Sequence, residues 1–109
     1  MRIADVFFQG ILAGHLIEEE PDRVFRFSYL DGYAGPPISL TMPVRERDYT
    51  FDTFPPFFDG LLPEGFMLEA LLRRNKLDSD DRFGQLVLVG GDTVGAVTVL
   101  PHSATNRGP

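Results

Sequence analysis

The sequence predicts an α+β domain, namely a small antiparallel β-sheet or open barrel with two to three short helices. Apolar and polar residues alternate through much of the N-terminal third of the chain, which is the period-two pattern of half-buried strands. After Pro63 the apolar residues instead recur with helical spacing as far as about Asn75. Since internal repeats and low-complexity tracts are absent from the sequence, we expect one domain over residues 1–101 and a flexible polar tail over residues 102–109.

Glycine and proline punctuate the predicted strands. Residues 3–8 and 11–17 form a predicted hairpin that turns at Gly10. Residues 23–30 are the clearest strand, because three aromatic side chains share one of its faces. Two further strands are expected over residues 38–42, which Pro43 closes, and over residues 94–100.

The predicted helices follow a long connection over residues 44–56, which Phe51 and Phe54 anchor to the core. Residues 57–62 are expected to form one or two helical turns. A longer helix follows Pro63, a residue well tolerated in a first turn, and ends near Asn75.

The segment over residues 83–89 is ambiguous. Its apolar run is compatible with a buried strand, whereas the N-cap residues before it favour a short helix.

Charge and composition exclude several classes of function. The chain of 109 residues has a formal net charge of −6, which disfavours direct binding to nucleic-acid phosphates and suits a basic protein partner. It contains no cysteine, so disulfides and thiolate metal sites are excluded. We find neither a signal peptide nor an apolar run long enough to cross a membrane, and we expect a cytoplasmic protein.

Catalytic motifs are not found either. His15 falls in a predicted strand and His102 in the tail, so we predict no metal site. The serines lack the context of a nucleophile elbow, and the glycine-rich residues 90–95 lack the Lys-Ser/Thr of a phosphate-binding loop. We therefore predict a binding protein without cofactor rather than an enzyme.

One aromatic residue of the long helix points away from its predicted buried face. At about 100° per residue, the expected buried sector contains Met67, Leu68, Leu71 and Leu72. Phe66 falls nearly opposite, and an aromatic side chain ringed by charges is typical of an interface anchor. The alternatives are that the helix begins later, with Phe66 folding under it, or that another element covers this face. The predicted partner-binding residues are Glu64, Gly65, Phe66, Glu69, Ala70 and Arg73.

Three blocks of sequence, in this order, resemble the N-terminal subdomain of HipA-type serine/threonine kinase toxins. They are ISLTMP at 38–43, FFDGLLPE at 57–64 and DTVGAVTVLP at 92–101. In those kinases the subdomain precedes a kinase core that carries the ATP-binding and catalytic residues. This sequence contains only the front piece, so the resemblance implies a free-standing version, as in three-component HipBST systems.

In such systems the small protein HipS is the antitoxin to a shortened kinase, HipT, and HipB is a separate DNA-binding protein. The resemblance thus implies a HipS-like antitoxin whose partner is a HipT-like kinase, together with a HipB-like helix-turn-helix protein as a further candidate partner. After the LLPE of residues 61–64, this chain continues with Gly65-Phe66-Met67. The bulky side chain of Phe66 could occupy the cleft of a neighbouring kinase. The alternatives are a structural or activating subunit that completes a split kinase, and a co-repressor acting with the HipB-like protein.

Overall fold

The computed structural model of the chain contains one five-stranded antiparallel sheet with helices between its last two strands, and it describes residues 1–21, 23–63, 65–93 and 95–102. The strand order is β4-β3-β2-β1-β5. Within the described residues β4 and β5 are the two edges, so the sheet is open and is not a closed barrel. The predicted α+β class is confirmed.

The strands and helices follow one another in a simple order. The strands are β1 (Arg2–Phe8), β2 (Ile11–Glu20), β3 (Val24–Tyr29), β4 (Asp48–Phe51) and β5 (Val97–Pro101). The helices are α1 (Pro56–Asp59), α2 (Gly65–Asn75) and α3 (Arg82–Val89), and a 3₁₀ turn (Gly90–Asp92) follows α3. Within the described residues, no helix is long and apolar enough to span a membrane.

The predicted hairpin forms with a two-residue turn. Gln9 and Gly10 both have positive φ, 50° and 83°, as a tight turn between twisted strands requires. A β-bulge between Val6 and Phe7 then shifts the register, so that Asp5 lies opposite His15. This shift decides which side chains meet on the two strands.

One face of the sheet forms the core with the helices. Alternate side chains of β1, β2 and β3 are buried there, and Phe58 of α1 packs against Phe27 with their ring centroids 5.8 Å apart. Phe83 and Leu86 of α3 belong to the same buried cluster. The predicted anchor Phe54 is also buried, 5.4 Å from the ring of Phe25.

The strand predicted over residues 38–42 is wrong. The segment is a series of bends and turns, although Ile38 and Met42 are buried. The Tyr29 hydroxyl accepts a hydrogen bond from the Ile38 N–H (3.0 Å) and donates one to the Met42 carbonyl. A hydroxyl from β3 therefore satisfies backbone groups that a strand would have paired.

Two further strands differ from the prediction, and the structure decides the one segment that the sequence left ambiguous. Strand β4 lies within the segment predicted to be a connection, where Asp48–Phe51 pairs with β3. The ambiguous segment is a helix, α3, because the Asp81 side chain accepts a hydrogen bond from the Gly84 N–H at its N-terminus. Strand β5 begins at Val97, later than predicted.

Arg2 joins the helical layer to the sheet. Its guanidinium donates to Glu18 of β2 (2.7 Å) and to Asp81 at the start of α3 (2.7 Å), and it lies 4.9 Å from the centre of the Phe83 ring. The hydrogen bond from Arg2, followed by that from the Gly84 N–H, lowers the pKa of Asp81 despite some desolvation. One side chain thus fixes the position of α3.

We predict that Arg2→Met lowers the free energy of unfolding by about 1–3 kcal/mol at pH 7, since it removes charge-assisted hydrogen bonds to two carboxylates. Because the pKa of folded Asp81 is lowered, its contribution is present above the usual pKa of about 4 and is lost as the pH falls through the folded value. The difference between wild type and variant should therefore shrink as the pH falls below about 4.

Urea denaturation across this pH range measures both effects. Arg82→Met is the matched control, because the one ion pair of Arg82 within the described residues is an exposed contact with Asp59 at 3.7 Å. An equal loss in the two variants at pH 7 would contradict the role assigned to Arg2.

Candidate functional site

An apolar groove lies between α2 and the end of α3. It has a volume of about 520 Å³. Residues 61–63 form one wall, α2 forms another, and the end of α3 and the 3₁₀ turn form the floor. We call this the α2 groove; its apolar lining is Leu61, Leu62, Pro63, Met67, Ala70, Leu71 and Val89.

Helix α2 ends where the sequence predicts. Arg73 and Arg74 lie in its last turn, where cations complement the helix dipole. Lys76 then adopts a positive φ of 55°, and the Leu77 N–H donates to the Leu72 carbonyl at 3.1 Å. The wall of the groove is therefore a properly terminated helix.

The predicted buried face of α2 is only partly buried. Leu68, Leu71 and Leu72 are half-buried, as side chains at the margin of a core are. The expectation for Met67 is wrong, because its side chain is 71% exposed. The helical wheel placed these residues in one sector correctly, but the neighbouring elements cover only part of that sector.

The predicted partner-binding residues separate into three groups. Glu64 and the side chains of Gly65 and Phe66 lie outside the described residues, although Gly65 and Phe66 belong to the first turn of α2. Ala70 is exposed and lines the α2 groove. Glu69 and Arg73 are exposed, with a loose pair at 4.0 Å, and are not among the groove residues.

The floor of the groove is fixed to β5. Gly90 lies so close to this strand that a Cβ atom on it would stand 2.5 Å from the Val99 carbonyl oxygen. The Thr93 hydroxyl donates to the Val97 carbonyl, which holds the chain just after the 3₁₀ turn. The groove therefore has a floor held against β5 and a lightly packed helical wall.

A second group of residues was missed by the sequence analysis. Asp5, His15 and His102 come together on the sheet, with both imidazoles against one carboxylate. A symmetric two-residue hairpin would have placed Gly14, not His15, opposite Asp5, so the bulge concealed the pair. The pairing of β5 with β1 brings Pro101 opposite Ala4, and a prediction of this pairing would have placed His102 near Asp5.

The comparisons with known proteins agree with this fold. The family model "HipA N-terminal domain" matches residues 4–100. The chain belongs to the HipA N-terminal domain family. A solved structure of the N-terminal domain of HipA toxin is 30% identical, with a TM-score of 0.74 and coverage of 95% of both chains. The recognition of the family from its three sequence blocks is confirmed.

The relatives with this HipA N-terminal domain are of two sizes. An uncharacterised protein of Haemophilus influenzae is 34% identical over 99 residues, which are 91% of this chain and 92% of that protein. Two Sinorhizobium fredii proteins named as kinases, Y4mE and Y4dM, are 28% and 32% identical, and the matches cover 25% and 29% of their lengths. The chain thus spans about a quarter of the length of these two relatives.

A Shewanella oneidensis structure of HipA with HipB and operator DNA shares the fold. The TM-score is 0.71 at 23% identity, and the match covers 93% of this chain and 24% of that one. The same fold thus occurs in a solved chain of about the domain's own size and in about a quarter of a larger one.

We predict that Gly90→Ala destabilises the domain by about 1–3 kcal/mol, because the new methyl group would collide with the backbone of β5. Gly91→Ala is the matched control in the same turn. Its Cβ atom would meet only the end of the Leu100 side chain, at 3.1 Å, so we expect a change below about 1 kcal/mol. Thermal and urea denaturation measure both; equal losses would show that the close approach at Gly90 does not hold the floor.

Proposed function

We propose that this chain is a HipS-like antitoxin, which binds a HipT-like serine/threonine kinase in the cytoplasm and neutralises it. The family is one support, because HipA N-terminal domains occur in proteins named as kinases. The Haemophilus relative is another, since there the domain makes up nearly the whole protein, as a free-standing antitoxin requires. The net charge of −6 suits a basic surface on the partner and argues against direct contact with DNA.

The observation that carries the proposal is the exposure of Met67 on the wall of the α2 groove. A methionine that is 71% exposed beside half-buried leucines leaves an adaptable apolar surface uncovered. Arg74, Asn75 and Asp92 lie around the groove, so an apolar centre has a polar rim. This is the usual anatomy of a protein interface.

Three of the residues predicted to bind a partner, Ala70, Glu69 and Arg73, support this proposal by their position on exposed parts of α2. Ala70 lies within the groove, and its small side chain permits close approach of a partner. Glu69 and Arg73 offer charges on the adjoining exposed surface of the helix. The junction Glu64-Gly65-Phe66 lies in the sequence between the groove residues Pro63 and Met67, and Phe66 is proposed as the aromatic anchor.

In this proposal the chain is itself neither an enzyme nor a cofactor carrier. The matching family model is the N-terminal domain alone. The third component of such systems, a HipB-like helix-turn-helix protein, is a second proposed partner. The Shewanella structure, in which HipA is assembled with HipB and operator DNA, motivates a test for it.

The alternative is a subunit that completes a split HipA-like kinase. It is favoured by the two kinase relatives, in which the domain belongs to a longer chain. One assay separates the two functions. Autophosphorylation of a purified HipT-like kinase should fall on addition of this chain if it is an antitoxin, and should stay equal or rise if it completes the enzyme.

We predict that Met67→Glu weakens binding to the kinase about 10- to 100-fold, since burying a methionine side chain contributes about 1.5–3 kcal/mol. Fold stability should be unchanged because the side chain is exposed in the free domain. Leu40→Glu is the matched control, as Leu40 is 94% exposed and lies outside the groove. Calorimetric titration measures both; equal affinities for the two variants would place the interface elsewhere.

We predict that Phe66→Ala relieves inhibition of the kinase, because truncating an aromatic anchor removes its buried area in the complex. The measurements are autophosphorylation in vitro and growth of cells that co-express the kinase. If Phe66→Ala inhibits as strongly as wild type, Phe66 is not the anchor. The neighbouring open reading frames offer a further test: a kinase core continuing in the same frame as this chain would exclude a free-standing antitoxin.

A further inference from the structure

Three side chains with metal-ligand chemistry meet on the sheet face opposite the core. Asp5 alternates along β1 with the buried residues Ala4 and Val6, so its side chain projects from the other face. His15 is its direct cross-strand partner on β2. The backbone N–H of His102, just after β5, donates to the Ile3 carbonyl at 3.2 Å, which brings its side chain beside Asp5 on the other flank of β1.

Both imidazoles are directed at one carboxylate oxygen. The Nδ1 atom of His15 lies 3.0 Å from Asp5 Oδ1, and the Nδ1 atom of His102 lies 2.7 Å from the same oxygen. The two rings meet edge to face with their centroids 5.1 Å apart. One potential ligand atom from each of the three residues lies within 4.8 Å of the other two.

These separations are close to those of a zinc site. Zinc binds oxygen and imidazole nitrogen at about 2.0–2.1 Å, so adjacent ligand atoms of a tetrahedral site lie about 3.3 Å apart. The two N–O separations at Asp5, 3.0 and 2.7 Å, differ from that ligand–ligand distance by roughly 0.6 Å or less. Small rotations of the side chains would bring all three ligand atoms around one ion.

We propose that Asp5, His15 and His102 form a binding site for a divalent transition-metal ion, with zinc as the best fit. Two imidazoles and a carboxylate form a mixed nitrogen and oxygen ligand set, which suits zinc or cobalt better than the all-oxygen preference of calcium and magnesium. Each histidine is only half-buried, which leaves a side of the site open for water as the fourth ligand.

The surroundings favour a bound cation. The Asp5 carboxylate is buried, with only 2% of the residue exposed, and burying a negative charge costs less when positive charge lies beside it. The net charge of −6 also raises the local concentration of cations. A metal here would join β1 and β2 to the end of β5, and so link residues 97 positions apart in the chain.

The chain offers a clean test, because His15 and His102 are its only histidines and it contains no cysteine. The full chain, freed of any histidine tag, is titrated with Co²⁺ by visible absorption and with Zn²⁺ by calorimetry. We expect one equivalent to bind, and excess metal to raise the melting temperature, since the ion would bind the folded state alone.

Variants identify the ligands. His102→Gln retains a group that can donate to Asp5 but removes the imidazole. We expect it to weaken zinc binding by more than about 10-fold. A loss of about 10-fold is already typical when a residue that only orients a metal ligand is removed, and the loss of a ligand itself should be larger. His15→Ala should act likewise. Glu20→Gln, at the exposed end of β2, is the control and should bind as wild type does.

Two results would overturn the proposal. One is the absence of saturable Co²⁺ and Zn²⁺ binding by the folded wild-type chain. The other is one-equivalent binding of unchanged affinity in a folded His15→Ala/His102→Gln variant, which would place the ion elsewhere. Neither readout uses the kinase, so the result is independent of the proposed antitoxin function.

Discussion

The antiparallel pairing of β1 with β5 is the constraint on which the rest of the structure depends. It returns the chain to its first strand after the three helices, so that β1 lies inside the sheet rather than at its edge. Gly90 rests on the Val99 carbonyl, and through this contact β5 supports the floor of the α2 groove. The same strand ends beside Asp5 and delivers His102 to it. Both candidate sites therefore require this one ladder.

The two candidate sites use different sides of the sheet. The α2 groove belongs to the helical layer, whose position the Arg2 guanidinium fixes through Asp81 and Glu18. The Asp5 cluster lies on the opposite face, where a partner in the groove would not cover it. Because the sheet separates them, a change at one should leave the other intact, and their effects on stability and binding should add.

Local sequence patterns predicted the elements whose structure is decided locally. The Gly10 hairpin, the aromatic strand β3 and the end of α2 at Asn75 are confirmed, since turn chemistry, alternation and helix spacing act over a few residues. The failures involve distant partners. At residues 38–42 the Tyr29 hydroxyl bonds to backbone groups that strand pairing would have satisfied. In the hairpin, a β-bulge places His15 opposite Asp5. For Met67, helical spacing predicted the face of α2 on which the side chain lies, but it could not predict whether another element covers that face.

The shallow packing of α2 has a kinetic consequence. Its three leucines are half-buried and its polar residues face solvent, whereas α3 places Phe83 and Leu86 in the core. A helix that buries little apolar area opens at a low free-energy cost, so its amide protons should exchange with solvent sooner than those of α3 or β1. A partner seated in the groove would slow that exchange, and part of its binding free energy would go into keeping α2 closed. The wall of the groove would thus be both the recognition element and the part of the domain that responds most to being recognised.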